Sequence, residues 1–178
     1  VPSGRDVLQN NLTKFDSLKK LRCYKELKDI TRIEQSIGTL GGGNHFIEID
    51  EDEEGMKYLI IHTGSRNLGK QVAEYYQNLA IDNMQGKKRL DKMTKQLIAE
   101  YKAEGRSKEI AEAIQTLRKY FNCNHRNIPK ELCYLTGDSR ADYLYDMRIC
   151  QQYAVLDRYT IAKSLIEHLF STNIACYD

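Results

Sequence analysis

Ser36-Ile-Gly-Thr-Leu-Gly-Gly-Gly-Asn-His-Phe-Ile-Glu-Ile-Asp50, followed by Ile61-His-Thr-Gly-Ser-Arg66, carries most of the readable chemistry of this chain. A glycine run permits backbone conformations and close approaches that a side chain would block, so it commonly surrounds a ligand or a tight turn. Directly after it, Asn44 offers an amide, His45 an imidazole and Glu48 a carboxylate. His45, Ile47 and Ile49 alternate with Phe46, Glu48 and Asp50. That period of two predicts a strand and, where the strand is regular, sends His45 and Glu48 to opposite faces. Lys57-Tyr-Leu-Ile-Ile61 predicts a second strand, and the acidic Asp50-Glu-Asp-Glu-Glu-Gly55 between them reads as a solvated turn of an antiparallel hairpin. His45 then stands at a strand start and His62 at a strand end.

Outward from the hairpin, Leu8, Leu12, Phe15, Leu18 and Leu21 recur at helical spacing and predict an amphipathic helix over 6–27. A second helix is predicted over 68–84, with Leu68, Val72, Tyr75, Tyr76 and Leu79 as its buried stripe. Residues 86–120 are rich in Lys, Glu, Gln and Ala, which predicts one or two solvent-facing helices broken near Gly105-Arg-Ser107. A loop holding Asn122, Asn124, Asn127 and Pro129 follows, and Cys133-Tyr-Leu-Thr-Gly137 leads into a long final helix. There Leu144, Met147, Cys150, Ala154, Ile161, Leu165 and Leu169 mark the expected buried face. The expected class is α+β, a sheet with helices packed on it.

At 178 residues one domain is the default reading. The 27 Lys and Arg nearly balance 25 Asp and Glu, so any polyanion site must be local rather than a property of the whole surface. Five widely spaced cysteines, Cys23, Cys123, Cys133, Cys150 and Cys176, contain no CxxC pair and read as reduced thiols of a cytoplasmic protein. No apolar run reaches membrane-spanning length, and the start lacks the hydrophobic stretch of a secretory signal. The missing initiator methionine is expected of processing or of a piece of a longer protein.

Two imidazoles at one hairpin end invite a metal, but two histidines alone are an incomplete set, and hydrogen-bonded strand-end histidines are an equally fair reading. Gly64-Ser65-Arg66 before a helix reads as an oxyanion cradle, or as an ordinary N-cap with a solvated arginine. A Walker A pattern is absent. His125 reads as a surface-loop residue and His168 as a solvated helix residue. Lys87-Lys-Arg89 with Lys92 and Lys95 reads first as a solvated helix face and second as an RNA contact.

Taken together, Ile37-Gly-Thr-Leu-Gly-Gly-Gly-Asn-His-Phe-Ile-Glu48 and His62-Thr-Gly-Ser-Arg-Asn-Leu-Gly69 resemble the RtcB family of RNA ligases. Weaker likeness continues in Val1-Pro2 with Gly4, in Tyr134-Leu-Thr-Gly137, and in Tyr153-Ala-Val-Leu-Asp-Arg158, where the family commonly has Asn in place of Asp157. Residues 86–128 match poorly and look like a helical insertion within a single RtcB-like domain of which 1–178 is the central part. The resemblance implies joining of an RNA 3′-phosphate or 2′,3′-cyclic phosphate end to a 5′-hydroxyl end, in tRNA splicing or RNA repair, with GTP and manganese and through a guanylylated histidine.

Carried over by position, His45 and His62 would ligate manganese, Asn44, His45, Phe46, Ile47 and Glu48 would line the GTP site, and Arg66 would contact phosphate of RNA or nucleotide. The family's Asp-x-x-Cys motif, its third metal histidine in an HNY-type motif and its guanylylated histidine are not found here, and Cys23 and Cys176 lack the context to substitute. The isolated chain is therefore expected to be inactive. The alternative is a noncatalytic RNA- or metal-binding module derived from such a ligase. Neither the natural RNA nor the oligomeric state is legible in the residues.

Overall fold

The glycine run feeds β1 (Phe46–Glu51), which pairs antiparallel with β2 (Lys57–His62) in the register Phe46↔His62, Glu48↔Ile60 and Asp50↔Tyr58. The hairpin turn is built on one carboxylate of the acidic run. Asp52 accepts the amides of Glu54 and Met56 on Oδ1 and the Tyr58 hydroxyl, at 2.8 Å, on Oδ2. The Tyr58 hydroxyl and those amides hold its carboxyl below the usual aspartate range. The computed structural model describes residues 1–3, 14–124 and 128–170, and in them the β structure consists of this hairpin and one parallel bridge, Ser3↔Gly41. Helices make up most of the rest, so the class is α+β.

Two compact units divide the chain: Val1–Glu74 with Arg140–Asp178, and Tyr75–Ser139. In the first, the short helix α1 (Ile30–Gln35) precedes the glycine run, and α2 (Leu68–Gln85) begins directly after the Gly64-Ser-Arg66 turn. Of the stripe expected on α2, Leu68, Val72 and Tyr76 are buried and Tyr75 and Leu79 half-buried, and Ala80 extends the buried line at intervals of four. The second unit holds α3 (Lys87–Ala103) and α4 (Ile110–Asn124). Gly105, at φ +72°, supplies the left-handed turn that ends α3, close to the predicted break. Asn122 and Asn124 belong to the end of α4 rather than to a loop, Asn127 lies outside the described residues, and Pro129 opens a short 3₁₀ turn.

The helix expected over 6–27 is not there in its described part. Leu8 and Leu12 lie outside the described residues, and from Asp16 onward the chain forms two 3₁₀ turns, Asp16–Lys20 and Tyr24–Glu26. The cause is a long-range acceptor. Asp146 takes the backbone amides of Arg22 (2.8 Å) and Cys23 (3.1 Å), two donors that a continuous α-helix would send to the carbonyls four residues earlier. Leu18 and Leu21 are still buried, as their spacing suggests.

The long final helix is α5 (Gly137–Phe170). Its buried stripe is Asp146, Ile149, Cys150, Tyr153, Asp157 and Ile161. Of the seven apolar residues expected to mark that face, Cys150 and Ile161 are buried, Leu144, Met147, Ala154 and Leu165 are half-buried, and Leu169 is exposed. Two aspartates sit where an apolar count would not look. Tyr153 anchors the stripe, its ring edge-on to Phe15 and its hydroxyl donating to the Ile33 carbonyl on α1. Among the described residues no helix is long and apolar enough to cross a membrane.

Candidate functional site

His45 and His62 do meet at one end of the hairpin, with ring centroids 6.1 Å apart. His45 lies just before β1, outside the regular pleat, and its Nδ1 is 2.9 Å from the Leu40 carbonyl at the start of the glycine run. A carbonyl only accepts, so in the neutral ring Nδ1 carries the proton and Nε2 keeps its lone pair. Metal-binding histidines are ordinarily oriented by such a second hydrogen bond. His62 is exposed and stacks on Phe46, 5.2 Å between centroids and 13° from parallel, through the cross-strand pairing of those two residues. Among the described residues no group of three or more His, Cys, Asp or Glu is gathered to hold a metal ion, and the two imidazoles stand together without a third such side chain.

Gly41 explains how the glycine run serves the site. At φ +86° it adopts a backbone conformation that disfavours a side chain, and a Cβ there would stand 1.7 Å from Arg66 Nη1 and 2.8 Å from His45 Nδ1. The missing side chain is the space in which the guanidinium and the imidazole approach each other. Arg66 Nε donates to the buried Thr39 hydroxyl at 3.0 Å, which in turn donates to the Ser36 carbonyl. Of the N-cap reading of Gly64-Ser65-Arg66, the cap holds and the solvated arginine does not: Ser65 Oγ caps α2 by accepting the Gly69 amide at 2.8 Å, while Arg66 is half-buried and held by Thr39. Arg66 and Asn67 reach this turn with φ of 46° and 72°.

Beside Arg66 opens a cavity of about 430 Å³, lined by Asp29, Arg32, Ser36, Arg66, Asn67 and Lys70 among others. Arg32, Arg66 and Lys70 line it with the single carboxylate of Asp29, Lys70 also pairing with Glu74 at 3.7 Å, and the surplus of positive charge is suited to an anion. Arg32 and Lys70 are additions that sequence reasoning missed. They come from α1 and the first turn of α2, and nothing in their local pattern distinguishes them from solvated cations.

Asp157, fully buried on α5, ties the two halves of the site together. Its Oδ1 accepts the Gly38 amide at 2.7 Å and its Oδ2 the Thr63 hydroxyl at 2.6 Å, while Arg158 donates to the Thr63 carbonyl at 3.3 Å. Burial pushes the Asp157 carboxyl above the usual aspartate range, against the opposing pull of Thr63, Gly38 and Arg66.

The remaining candidates are dispersed. Asn44, Phe46 and Glu48 are exposed, and Ile47 is half-buried. The register puts Phe46 and Glu48 on the face that carries His62, and Ile47 on the other, paired with Ile61. Cys23 and Cys150 are free and buried, and burial pushes both thiols up to about 12. His125 lies outside the described residues, as do the side chain of Cys123 and the whole of Cys176. His168 is exposed in the last turn of α5.

The family model described as tRNA-splicing ligase RtcB matches residues 9–175. RNA-splicing ligase RtcB of Escherichia coli strain K12 is 47% identical over 49 residues, which are 28% of this chain and 12% of the relative. tRNA-splicing ligase RtcB of Aeropyrum pernix is 43% identical over 56 residues, 24% of this chain and 12% of the relative. The protein of the same name from Nanoarchaeum equitans is 41% identical over 63 residues, 27% and 13% respectively. The chain therefore covers a small part of the length of these relatives. No solved structure matches. A family model running over nearly the whole sequence, and a glycine run, two histidines and an arginine drawn to one hairpin end, lead to one conclusion: the chain belongs to the RtcB family.

Proposed function

We propose that the chain is part of an RNA ligase that joins 3′-phosphate or 2′,3′-cyclic phosphate ends to 5′-hydroxyl ends, using GTP and manganese, in the cytoplasm. The observation that carries this reading is the meeting of His45 with Arg66 at Gly41 and with His62 at the same hairpin end. His45 presents Nε2 because its Nδ1 is engaged by Leu40, and His62 adds a second imidazole at the same end. What manganese supplies when bound is positive charge against the phosphates of a phosphoryl transfer. Arg66, held by Thr39 at Nε, keeps its terminal nitrogens for a phosphate, and Arg32 and Lys70 strengthen the local positive field. Asn44 to Glu48 would line the nucleotide, with Phe46 and Glu48 on the His62 face.

Two imidazoles are too few ligands for tight manganese on their own, so this chain by itself is proposed to be neither guanylylated nor competent in joining. The test separates enzyme guanylylation from strand joining in the intact protein. His45→Ala and His62→Ala should abolish guanylylation, because the triphosphate loses its electrostatic clamp in the first step. Arg66→Ala should guanylylate and fail at joining, and Arg66→Lys should not restore a bidentate contact. Normal guanylylation in both histidine variants would refute the metal assignment, and normal joining by Arg66→Ala would refute the phosphate assignment.

A further inference from the structure

The near-neutral total conceals a strong local asymmetry. Residues 86–128 hold eleven Lys and Arg against five Asp and Glu, a net +6, leaving −4 for the rest of a chain whose total is +2. Within this segment, the cations of α3 are not scattered around the helix. Lys88, Lys92, Lys95 and Lys102 fall at i, i+4, i+7 and i+14, which at 100° per residue places them within about 80° of arc over about 21 Å of helix. All four are exposed. Leu90, Thr94, Leu97 and Tyr101 occupy the opposite side and are half-buried, and Leu97 and Tyr101 share a groove with Ala113, Thr116 and Leu117 of α4. The lysine stripe is thus turned away from the α3–α4 contact. Asp91 lies beside it, and Lys88 is paired with Asp82.

A solvated helix needs no such sorting. Ordinary solvated helices mix both signs on their outer face, since opposite charges three and four residues apart stabilise them and like charges at that spacing cost a few tenths of a kcal/mol. Lys88 to Lys92 is such a like-charge pair and Lys92 to Lys95 is another at i,i+3, with Asp91 the one acidic residue at these spacings from the stripe, three after Lys88 and four before Lys95. We propose that this stripe is an RNA-binding surface that contacts the phosphate backbone without reading base sequence. The charge is complementary to a polyanion, the spacing is linear rather than a pocket, and flexible ammonium groups suit contacts that tolerate any sequence. RNA as the occupant rests on the ligase reading above.

The test is binding of a labelled single-stranded RNA by the chain across 50–200 mM NaCl, for the wild type, for Lys92→Ala/Lys95→Ala/Lys102→Ala, and for the same three positions changed to Arg. Each lysine releases counterions on contact, so the Ala variant should show a plot of log affinity against log salt that is shallower by about 2, and binding about tenfold weaker near 100 mM. The Arg variant should bind as the wild type does. The substituted side chains are exposed, and the helix content of each variant, read by circular dichroism, should be unchanged. An unchanged slope in the Ala variant overturns the proposal, as does equal loss in the Arg variant or a wild-type chain with no salt-dependent RNA binding. Strand joining by His45→Ala in the intact protein is scored separately, so the ligase reading and the stripe can fail independently.

Discussion

Replacing Asp157 separates its two roles, buried charge and hydrogen-bond acceptor. Asp157→Ala removes two short hydrogen bonds, from Gly38 at 2.7 Å and Thr63 at 2.6 Å, that hold the start of the glycine run and the residue after His62 to the same helix. Hydrogen bonds to a charged group contribute about 1.5–3 kcal/mol each, so the two together contribute about 3–6 kcal/mol. Removing a buried carboxylate also relieves its desolvation, which offsets part of that and leaves an expected loss of about 2–4 kcal/mol.

Asp157→Asn behaves differently. An amide accepts from Gly38 through its oxygen and donates to the Thr63 hydroxyl, which can rotate to accept, so both contacts survive as neutral bonds and stability stays within about 1 kcal/mol of the wild type. The sign with pH follows from the raised carboxyl. The folded state holds this proton more tightly than the unfolded state does, so its contribution is full below 3.8, the ordinary aspartate value, and is lost as pH rises through the folded value. Stability of the wild type relative to Asp157→Asn should therefore fall as pH is raised from below 3.8 toward neutrality. Urea denaturation followed by circular dichroism, with the Gly38 and Thr63 amide resonances reporting this unit, measures all three quantities. A loss below about 1 kcal/mol in Asp157→Ala, or an Asn variant as damaged as the Ala variant, would refute the tether.

Gly41→Ala should displace both Arg66 and His45, at a strain cost of about 1–3 kcal/mol, seen as movement of the His45 ring resonances, while Gly43→Ala, with open space around its Cβ, should leave that ring unmoved. Asp52→Asn should flatten the acid limb of hairpin stability: the depressed carboxyl stabilises the turn above 3.8 and that contribution is lost as pH falls through its folded value, which amide exchange at Met56 would record. Cys23 and Cys150, buried with thiols raised to about 12, should resist iodoacetamide at pH 8 while the half-buried Cys133 is alkylated, as peptide mapping by mass spectrometry would quantify.

Local signals carried the sequence reading wherever the determining contacts were local. The hairpin follows from a period of two broken by an acidic turn, and the α3–α4 break from Gly105, both within a few residues of what they shape. The convergence of His45 with His62 also comes with the hairpin, since Phe46↔His62 is a cross-strand pair. What stayed hidden depends on partners more than a hundred residues away. The 3₁₀ turns around Leu21 exist because Asp146 captures two amides, and the apolar count on α5 misses its buried face because Asp146 and Asp157 lie on it. Arg32 and Lys70 are ordinary in sequence and acquire meaning only when α1 and α2 bring them to Arg66.

Asp146 and Asp157 stand eleven residues apart on one uninterrupted helix, three turns and about 16.5 Å. Each grips the backbone of a different segment, one at Arg22 and Cys23, the other at Gly38. The helix between them acts as a ruler with two marks, and its length in residues is as constrained as the identity of either mark. Inserting or deleting a single residue between positions 147 and 156 would turn one aspartate by about 100° relative to the other, so that both could no longer face their amides at once. Substitutions on the outer side of that stretch leave the ruler intact, and a change in its length does not.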